Sequence, residues 1–302
     1  MLSHAKTEQR EKVSLVIDKL KRVPDLPTLP HIASQLLQMV YSADCSIPEI
    51  GRVIEHDPAL AANLLKAVNS PLYGVRHNIT NISRALVLLG LREIVNLVSG
   101  LMVFKVFRKP ESDSLFDRKG FWLHSSACAV LARTIAKSIG ASLSGEEFIA
   151  GLVHDIGKIV LDQYFHDDFE QALHIAGSKQ ISLYEAEMRV FNITHAEVGA
   201  WIAKKWHLPA AIVEAIEYHH TPQKAHNPVL VSIVHTANLL CKVCEIGDSG
   251  CAYGYSIADD IGWQILRDHC PGIGEVEGQH FTEEVENEIA KARDFLRISA
   301  GA

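Results

Sequence analysis

Apolar residues recur along this chain with the three-to-four-residue spacing of amphipathic helices. No run alternates apolar and polar residues convincingly in the way that a half-exposed strand does. In the first 110 residues the pattern predicts helices over 32–40, 59–68, 82–89 and 91–106, the last two separated by Leu-Gly-Leu. Because the helical spacing continues through the second half, we predict an all-α fold.

Polar residues mark the starts of further helices. The spacing Ser/Thr-x-x-Glu, in which the hydroxyl and the carboxylate cap the first turn reciprocally, occurs at 46–49, 144–147, 182–185 and 194–197. The helix that Ser144 opens is expected to carry His154 and Asp155 in its middle. His195 is expected in the first turn of the helix capped by Thr194.

The clearest interruption is the polar run Lys-Pro-Glu-Ser-Asp-Ser at 109–114. We therefore expect an N-terminal helical lobe over 1–115 and a second helical lobe over 116–245. A C-terminal helical extension over 246–302 completes the predicted domain organisation. The second lobe contains all the histidines that are proposed below as metal ligands.

Composition places the chain among globular proteins, since 48% of its 302 residues are hydrophobic and 22% are charged. The net charge of −7 argues against a nucleic-acid-binding surface. The first twenty residues contain no apolar signal segment, and the apolar region 85–107 is interrupted by Arg92, Glu93 and Lys105. We therefore expect a cytoplasmic protein that does not contact a membrane.

Four cysteines near the C-terminal end suggest a structural zinc site, namely Cys241, Cys244, Cys251 and Cys270. The first two, however, fall one turn apart near the end of an apolar helix. Buried cysteines of a reducing compartment most often pack as small apolar side chains. The sequence therefore favours packing over zinc at these positions.

His154 and Asp155 are the most informative residues, because they lie side by side between Val153 and Ile156. An imidazole and a carboxylate are costly to bury without a partner, and a divalent cation satisfies both. Further candidate ligands lie on four other predicted helices: His124, His195, His219, His220, Asn238 and His235. The pair His56-Asp57 imitates the first pair, but Pro58 directly after it indicates a helix end.

Imidazole and carboxylate ligands suit iron, manganese, zinc or nickel better than magnesium. The two oxygens of Asp155 could bridge two ions about 3.5–4 Å apart, the arrangement that clamps a phosphate. Lys158 follows His154 by four residues and could stabilise charge on a phosphoryl oxygen. We assign catalytic roles to Asp155 and Lys158, and we favour iron or manganese as the metal.

The run Phe-Ile-Ala-Gly-Leu-Val-His-Asp-Ile-Gly-Lys at 148–158 resembles the HD superfamily of metal-dependent phosphohydrolases. Leu-Pro-Thr-Leu-Pro at 26–30, Asp-Pro-Ala-Leu at 57–60 and Asn-Ser-Pro-Leu-Tyr-Gly at 69–74 are similar to the N-terminal half of the HDOD family. Thr-His-Ala-Glu-Val-Gly at 194–199 and Trp-His-Leu-Pro at 206–209 are similar to its C-terminal half. The resemblance covers roughly residues 20–240.

This resemblance implies an N-terminal helical lobe packed on an HD-type helical core and a bacterial signalling or regulatory role. Six residues fall at positions similar to the ligand positions of catalytic HD-GYP relatives: His124, His154, Asp155, His195, His219 and His220. Two departures stand out. The Gly-Tyr-Pro signature is absent after His220, which speaks against cyclic-di-GMP hydrolysis, and Asn238 stands where an aspartate is usual.

The sequence is compatible with three functions. The chain could be a metal-binding signalling module, with a protein partner or a phosphate-containing small molecule as its ligand. It could be an active phosphohydrolase, in which His195 is solvent-accessible and protonates the leaving group. It could also be a scaffold that binds metal only to hold its fold.

Overall fold

The computed structural model describes residues 16–23, 26, 29–40, 45–107, 115–141, 143, 145–247, 259–269 and 278–299. Every regular element in these residues is helical, and none of them forms a strand. The all-α prediction is therefore confirmed. The predicted lobe boundary at 109–114 and the cysteines Cys251 and Cys270 lie outside the described residues.

The N-terminal part contains five helices after a short helical segment at 16–21. They are α1 His31–Val40, α2 Ile47–Glu55, α3 Pro58–Val68, α4 Ile82–Leu89 and α5 Leu91–Phe107. The four helices predicted from spacing agree with the structure to within one residue at each end. Ser46 does precede α2, but its hydroxyl binds the Glu49 carboxylate and does not cap the backbone.

The second part contains ten helices and one 3-10 turn. They are α6 Arg118–Ser138, α7 Glu146–Val153, α8 Ile156–Tyr164, α9 His166–Lys179, α10 Leu183–Val190, α11 His195–Lys205, α12 Ala210–Tyr218, the turn Pro222–Lys224, α13 Pro228–Val243, α14 Ile261–His269 and α15 Gly278–Ser299. Reciprocal caps are present at Ser182 before α10 and at Thr194 before α11, as predicted.

The predicted helix through His154 and Asp155 is wrong, because the chain breaks at these two residues. Helix α7 ends at Val153 and α8 begins at Ile156. The His154 ring donates from Nδ1 to the Gly151 carbonyl oxygen at 2.8 Å, and Asp155 adopts φ −98° and ψ 10°. The His154 ring thus hydrogen-bonds a backbone carbonyl near the end of α7, and the chain turns before α8 begins.

Helix α6 forms the centre of the second part and packs against α7, α13 and α15. Helix α7 also contacts α12 and α13, while α8 packs along α11. Helix α15 extends over α3 as well as α6 and closes the core, where the rings of Phe148 and Phe295 meet edge to face at 5.1 Å. The helices that carry the candidate ligands are therefore mutual neighbours.

A buried arginine joins the N-terminal helices to this core. Arg133 on α6 forms ion pairs with Glu93 on α5 and, at 3.9 Å, with Glu147 on α7. Its guanidinium stacks over Tyr73, whose hydroxyl donates to Glu93 at 2.9 Å. Because these contacts are charged and shielded from water, they hold α5, α6 and α7 in a defined relation.

Among the described residues, no single helix is long and apolar enough to cross a membrane. Helices α4 and α5 meet this test only as a pair, and they are bent by 118° relative to each other. Most of α5 is buried inside the protein.

Candidate metal centre

Asp155 lies at the centre of four imidazole rings. Its Oδ1 is 3.1 Å from His195 Nε2 and 3.4 Å from His219 Nε2. Its Oδ2 is 3.3 Å from His154 Nε2 and 3.7 Å from His124 Nε2. All five side chains are at most 1% exposed. The two oxygens of one carboxylate thus face two different pairs of imidazoles.

The candidate ligand atoms fall into two groups, in each of which all atoms lie within 4.8 Å of one another. The histidine group consists of Asp155, His195, His219 and His220. The cysteine group consists of His124, Cys128 and His154. Residues from α6, the α7–α8 break, α11 and the end of α12 therefore meet at one place. Cys128 is a member that the sequence did not reveal.

Backbone carbonyls determine which ring nitrogen faces the centre. His219 Nδ1 lies 2.8 Å from the Ile216 oxygen, His154 Nδ1 lies 2.8 Å from Gly151, and His124 Nδ1 lies 3.3 Å from Ile246. A carbonyl only accepts, so each Nδ1 carries the proton and each Nε2 keeps a lone pair. Three rings therefore present a ligand atom to the centre in the correct tautomer.

His195 is oriented by a glutamate that sequence reasoning missed. The His195 backbone N–H and its Nδ1 both donate to Glu187 Oε2, at 2.8 and 2.6 Å. Burial lowers the pKa of His195, but Glu187 and Asp155 outweigh it and raise that pKa above its usual value. Carboxylate–histidine pairs of this kind fix the ring of a metal ligand. Glu187 precedes His195 by only eight residues, but no local motif links them.

Replacing Glu187 with glutamine is expected to weaken metal binding about 10–100-fold without unfolding the protein. Glutamine keeps the volume and one acceptor oxygen but removes the charge that orients His195. Metal affinity of the purified variant, measured by competition with a chromophoric chelator, checks this. Glu185→Gln on the same helix is the control, because Glu185 is exposed and glutamine also serves in a capping box. Equal affinities of the two variants would contradict the role of Glu187.

The charge balance of the centre favours a cation. Burial raises the pKa of Asp155, but His154 and Lys158 together hold it well below its usual value. Burial lowers the pKa of His219 to about 3 and brings those of His124 and His220 well below the usual range. Asp155 is therefore ionised while His124, His219 and His220 are neutral, which are the protonation states that a divalent ion requires; His195, whose pKa is raised, would release one proton on binding an ion.

Several buried ligand atoms have no hydrogen-bond partner among the described residues. These are His154 Nε2, His219 Nε2, Asp155 Oδ1 and Asn238 Oδ1. Orphaned buried polar atoms are rare and usually indicate a bound ion or water. The residues therefore fit a metal of the kind predicted. Asn238 lies buried on α13, and its position as a ligand remains a prediction.

His235 supports the site from outside both ligand groups. Its Nδ1 faces the His219 carbonyl oxygen at 2.6 Å, and its Nε2 faces Asp260 Oδ2 at 2.8 Å. Of the two roles left open for His235, the structure favours the supporting one. The contact ties the backbone of His219 to Asp260, immediately before α14.

The other His-Asp pair, His56-Asp57, also lies between two helices. Asp57 accepts from the backbone N–H groups of Ala59 and Leu60, so it is the N-cap of α3. The prediction that a helix ends at this pair is confirmed, because α2 ends at Glu55 and His56 is its C-cap. Asp155 occupies the equivalent position before α8, but its side chain makes no cap bond and turns to the imidazoles. The same dipeptide thus caps a helix at 56–57, whereas at 154–155 its aspartate lies among the imidazoles of the candidate metal centre.

Two lysines stand beside the centre. Lys158 Nζ is 2.6 Å from Asp155 Oδ2, so it pairs with the carboxylate and is buried, as is unusual for lysine. Lys242, near the end of α13, is half-buried. Burial and the charge of Lys158 lower the pKa of Lys242 to about 8. The sequence identified Lys158 and missed Lys242.

The C-terminal cysteines separate in the structure. Cys241 is buried with its Sγ 3.4 Å from Cys128 Sγ, whereas Cys244 is exposed. These two residues therefore do not share a site, which agrees with the prediction that packing outweighs a structural zinc.

Comparisons with known proteins agree with this architecture. An HDOD domain protein of unknown function from Geobacter sulfurreducens has a similar structure, with a TM-score of 0.78 and 26% identity over 95% of this chain and 98% of that one. A protein from Shewanella amazonensis SB2B named as a candidate phosphohydrolase shares the fold, with a TM-score of 0.69 and 22% identity over 92% of this chain and 97% of that one. A named candidate signal transduction protein from Marinobacter aquaeolei VT8 also shares it, with a TM-score of 0.71, 20% identity and coverage of 97% and 66%.

An uncharacterized protein of Treponema pallidum (strain Nichols) is 27% identical over 241 residues. These residues are 78% of this chain and 46% of that protein, so the chain spans about half the length of this relative. The sequence model of the HDOD domain matches residues 26–222, which include every member of the two ligand groups. The chain therefore belongs to the HDOD family.

Proposed function

We propose that this chain is a cytoplasmic bacterial regulatory protein in which two divalent ions bind a phosphate-containing ligand. The observation that carries the proposal is the placement of Asp155. Its two oxygens face separate imidazole pairs, at 3.1 and 3.4 Å on one side and 3.3 and 3.7 Å on the other. A carboxylate that bridges two ions has this arrangement of neighbours.

The ligand types support the choice of metal. A set of imidazoles with one carboxylate suits iron or manganese, and zinc or nickel would also be accepted. Bound divalent ions would supply Lewis acidity toward phosphoryl oxygens. His195, His219 and His220 would hold one ion, while His124 and His154 would hold the other.

Positive charge beside the centre supports an anionic ligand. Among the described residues, no carboxylate forms an ion pair with Lys242, although this side chain is half-buried. A half-buried ammonium that forms no ion pair attracts phosphate oxygens. His220 is also half-buried, so it and Lys242 mark the side of the centre that solvent reaches.

A series of contacts from the metal centre to the N-terminal helices supports the regulatory role. His124 lies on α6 nine residues before Arg133, and Arg133 is bound to Glu93 on α5. A change in the position of α6 on ligand binding would therefore act on the N-terminal helices through this ion pair. One relative is named for signal transduction, which agrees with this role.

The experiment is elemental analysis of protein purified without chelators, followed by calorimetric titration with inorganic phosphate and assays on phosphate monoesters and diesters. We expect about two ions per chain, phosphate binding and no turnover. Lys242→Gln should weaken phosphate binding and leave the metal content unchanged. Lys137→Gln, an exposed lysine on α6, is the matched control. Protein that carries no metal would overturn the proposal, and rapid turnover would favour the alternative.

The alternative function is a metal-dependent phosphohydrolase, and Lys158 favours it. This ammonium is buried within the centre, 2.6 Å from the carboxylate at its middle, where it could stabilise developing charge. The predicted solvent exposure of His195 is wrong, however, because this side chain is only 1% exposed. If the chain is an enzyme, Lys158→Gln should lower kcat about 10²–10³-fold. An equal rate in this variant would exclude the role of Lys158.

A further inference from the structure

Cys128 lies inside the metal centre, one helical turn after His124 on α6. Its side chain is fully buried, and its Sγ is 3.5 Å from His124 Nε2. The sulfur also lies within 4.8 Å of the ligand atom of His154. The thiol of Cys128 thus lies beside the Nε2 atoms of His124 and His154, whose lone pairs face the centre.

The spacing of these atoms agrees with a four-coordinate ion. A tetrahedral ion bound about 2.0–2.1 Å from nitrogen and about 2.3 Å from sulfur sets the two ligand atoms about 3.5 Å apart. The observed distance from Cys128 Sγ to His124 Nε2 is 3.5 Å. Two nitrogen or oxygen ligands at about 2.0–2.2 Å are about 3.4 Å apart in the same geometry. Asp155 Oδ2 is 3.3 Å from His154 Nε2 and 3.7 Å from His124 Nε2.

A second observation separates this site from ordinary packing. Cys128 also contacts Cys241 Sγ at 3.4 Å, and buried cysteines commonly pack in this way. Packing, however, leaves the fully buried His154 Nε2 without a hydrogen-bond partner among the described residues. A cation shared by His154 and Cys128 satisfies this nitrogen.

We infer that Cys128 binds one ion of the centre as a thiolate, together with His124, His154 and Asp155. This inference rests on the proposed metal centre and goes beyond it. On binding, the S–H bond breaks, its electron pair forms the bond to the ion, and the proton leaves to solvent. The two ion positions then differ chemically, because only the cysteine group offers sulfur.

This difference gives the positions different metal preferences. Thiolate ligands favour zinc, cobalt or ferrous iron, whereas the histidine group, with imidazole and carboxylate alone, also accepts manganese. A chain loaded with mixed metals is therefore expected to place the softer ion at Cys128.

Cobalt substitution tests the inference, because cobalt(II) bound to sulfur absorbs in the near ultraviolet by charge transfer. Cobalt-loaded wild-type protein should show this band. Cys128→Ala should lose the band and should bind the ion at the cysteine group at least about 10–100-fold more weakly. Loss of an outer partner of a metal ligand already costs this much, and loss of a direct ligand should cost no less. Cys241→Ala is the matched control, because Cys241 is equally buried and touches Cys128, and it should keep the band.

Zinc-loaded protein gives an independent reading by X-ray absorption, with a sulfur shell at about 2.3 Å that the Cys128 variant lacks. Cobalt or zinc bound to the wild type without a sulfur signal would overturn the inference and leave the proposed function intact. A sulfur signal that survives in Cys128→Ala would also overturn it. Wild-type protein that retains no metal would overturn both. The wild-type spectra decide the matter even if the variant fails to fold.

Discussion

Replacing Asp155 with asparagine is expected to remove both ions from the centre. The histidine group loses its only carboxylate, and the cysteine group loses the carboxylate oxygen that lies 3.3 Å from His154 Nε2 and 3.7 Å from His124 Nε2. Removing an outer-shell partner costs about 10–100-fold in metal affinity, so a ligand shared by two ions should cost more than about 100-fold for each. Elemental analysis after gel filtration should fall from about two ions per chain to nearly none.

The same substitution should destabilise the metal-free protein. Lys158 is buried and pairs with Asp155 at 2.6 Å, and asparagine removes the carboxylate from this ion pair. Breaking one side of a buried ion pair costs about 3–5 kcal/mol. Asp57→Asn is the control, because asparagine caps a helix as well as aspartate does. Full metal content in Asp155→Asn, or an equal loss in Asp57→Asn, would be incompatible with the proposed centre.

Replacing Gly157 with alanine is expected to destabilise the fold by about 3 kcal/mol or more, at the upper end of the overpacking range. A Cβ at this position would overlap the His195 carbonyl oxygen and lie 2.8 Å from the Gly199 nitrogen. Helices α8 and α11 thus touch backbone to backbone, and neither can yield as a flexible side chain could. Urea unfolding of the wild type and the variant measures the effect.

Metal affinity should fall with stability in this variant, because the displaced backbone is that of the ligand His195. Gly177→Ala is the matched control, since no atom lies within 4 Å of the added Cβ and the residue is exposed on α9. Alanine there should stabilise the protein by about 0.4–1 kcal/mol by restricting the unfolded chain. A Gly157→Ala protein as stable as the wild type would refute the close approach of the two helices.

The sequence predicted local features well. Amphipathic spacing located α4 and α5 to within one residue, because the break between them is made by Gly90 at φ 90°. The capping boxes at Ser182 and Thr194 involve residues only three positions apart, so they could be recognised from spacing. Such contacts depend on residues that are close in sequence and not on the tertiary fold.

Features of the site that depend on tertiary contacts could not be predicted. The break at His154 and Asp155 arises where a ring binds a carbonyl and a carboxylate turns to imidazoles from other helices. Cys128 and Lys242 lie on helices whose inward faces are set by neighbours distant in sequence. The predicted convergence of distant histidines rested on their chemistry and on family resemblance. The structure brings six of the eight candidate ligands together in the two groups, and Asn238 and His235 lie outside them.

Helix α15 has a consequence for the synthesis of this protein. Phe148, at the start of the segment that leads to His154, is covered by Phe295, which follows it by 147 residues. At about 5–20 residues per second, a ribosome needs roughly 7–30 s to make the intervening chain. During that interval the nascent chain exposes the apolar surface around Phe148, six residues before the ligand His154. Cofactor loading is therefore expected to follow translation of the final helix and not to accompany it.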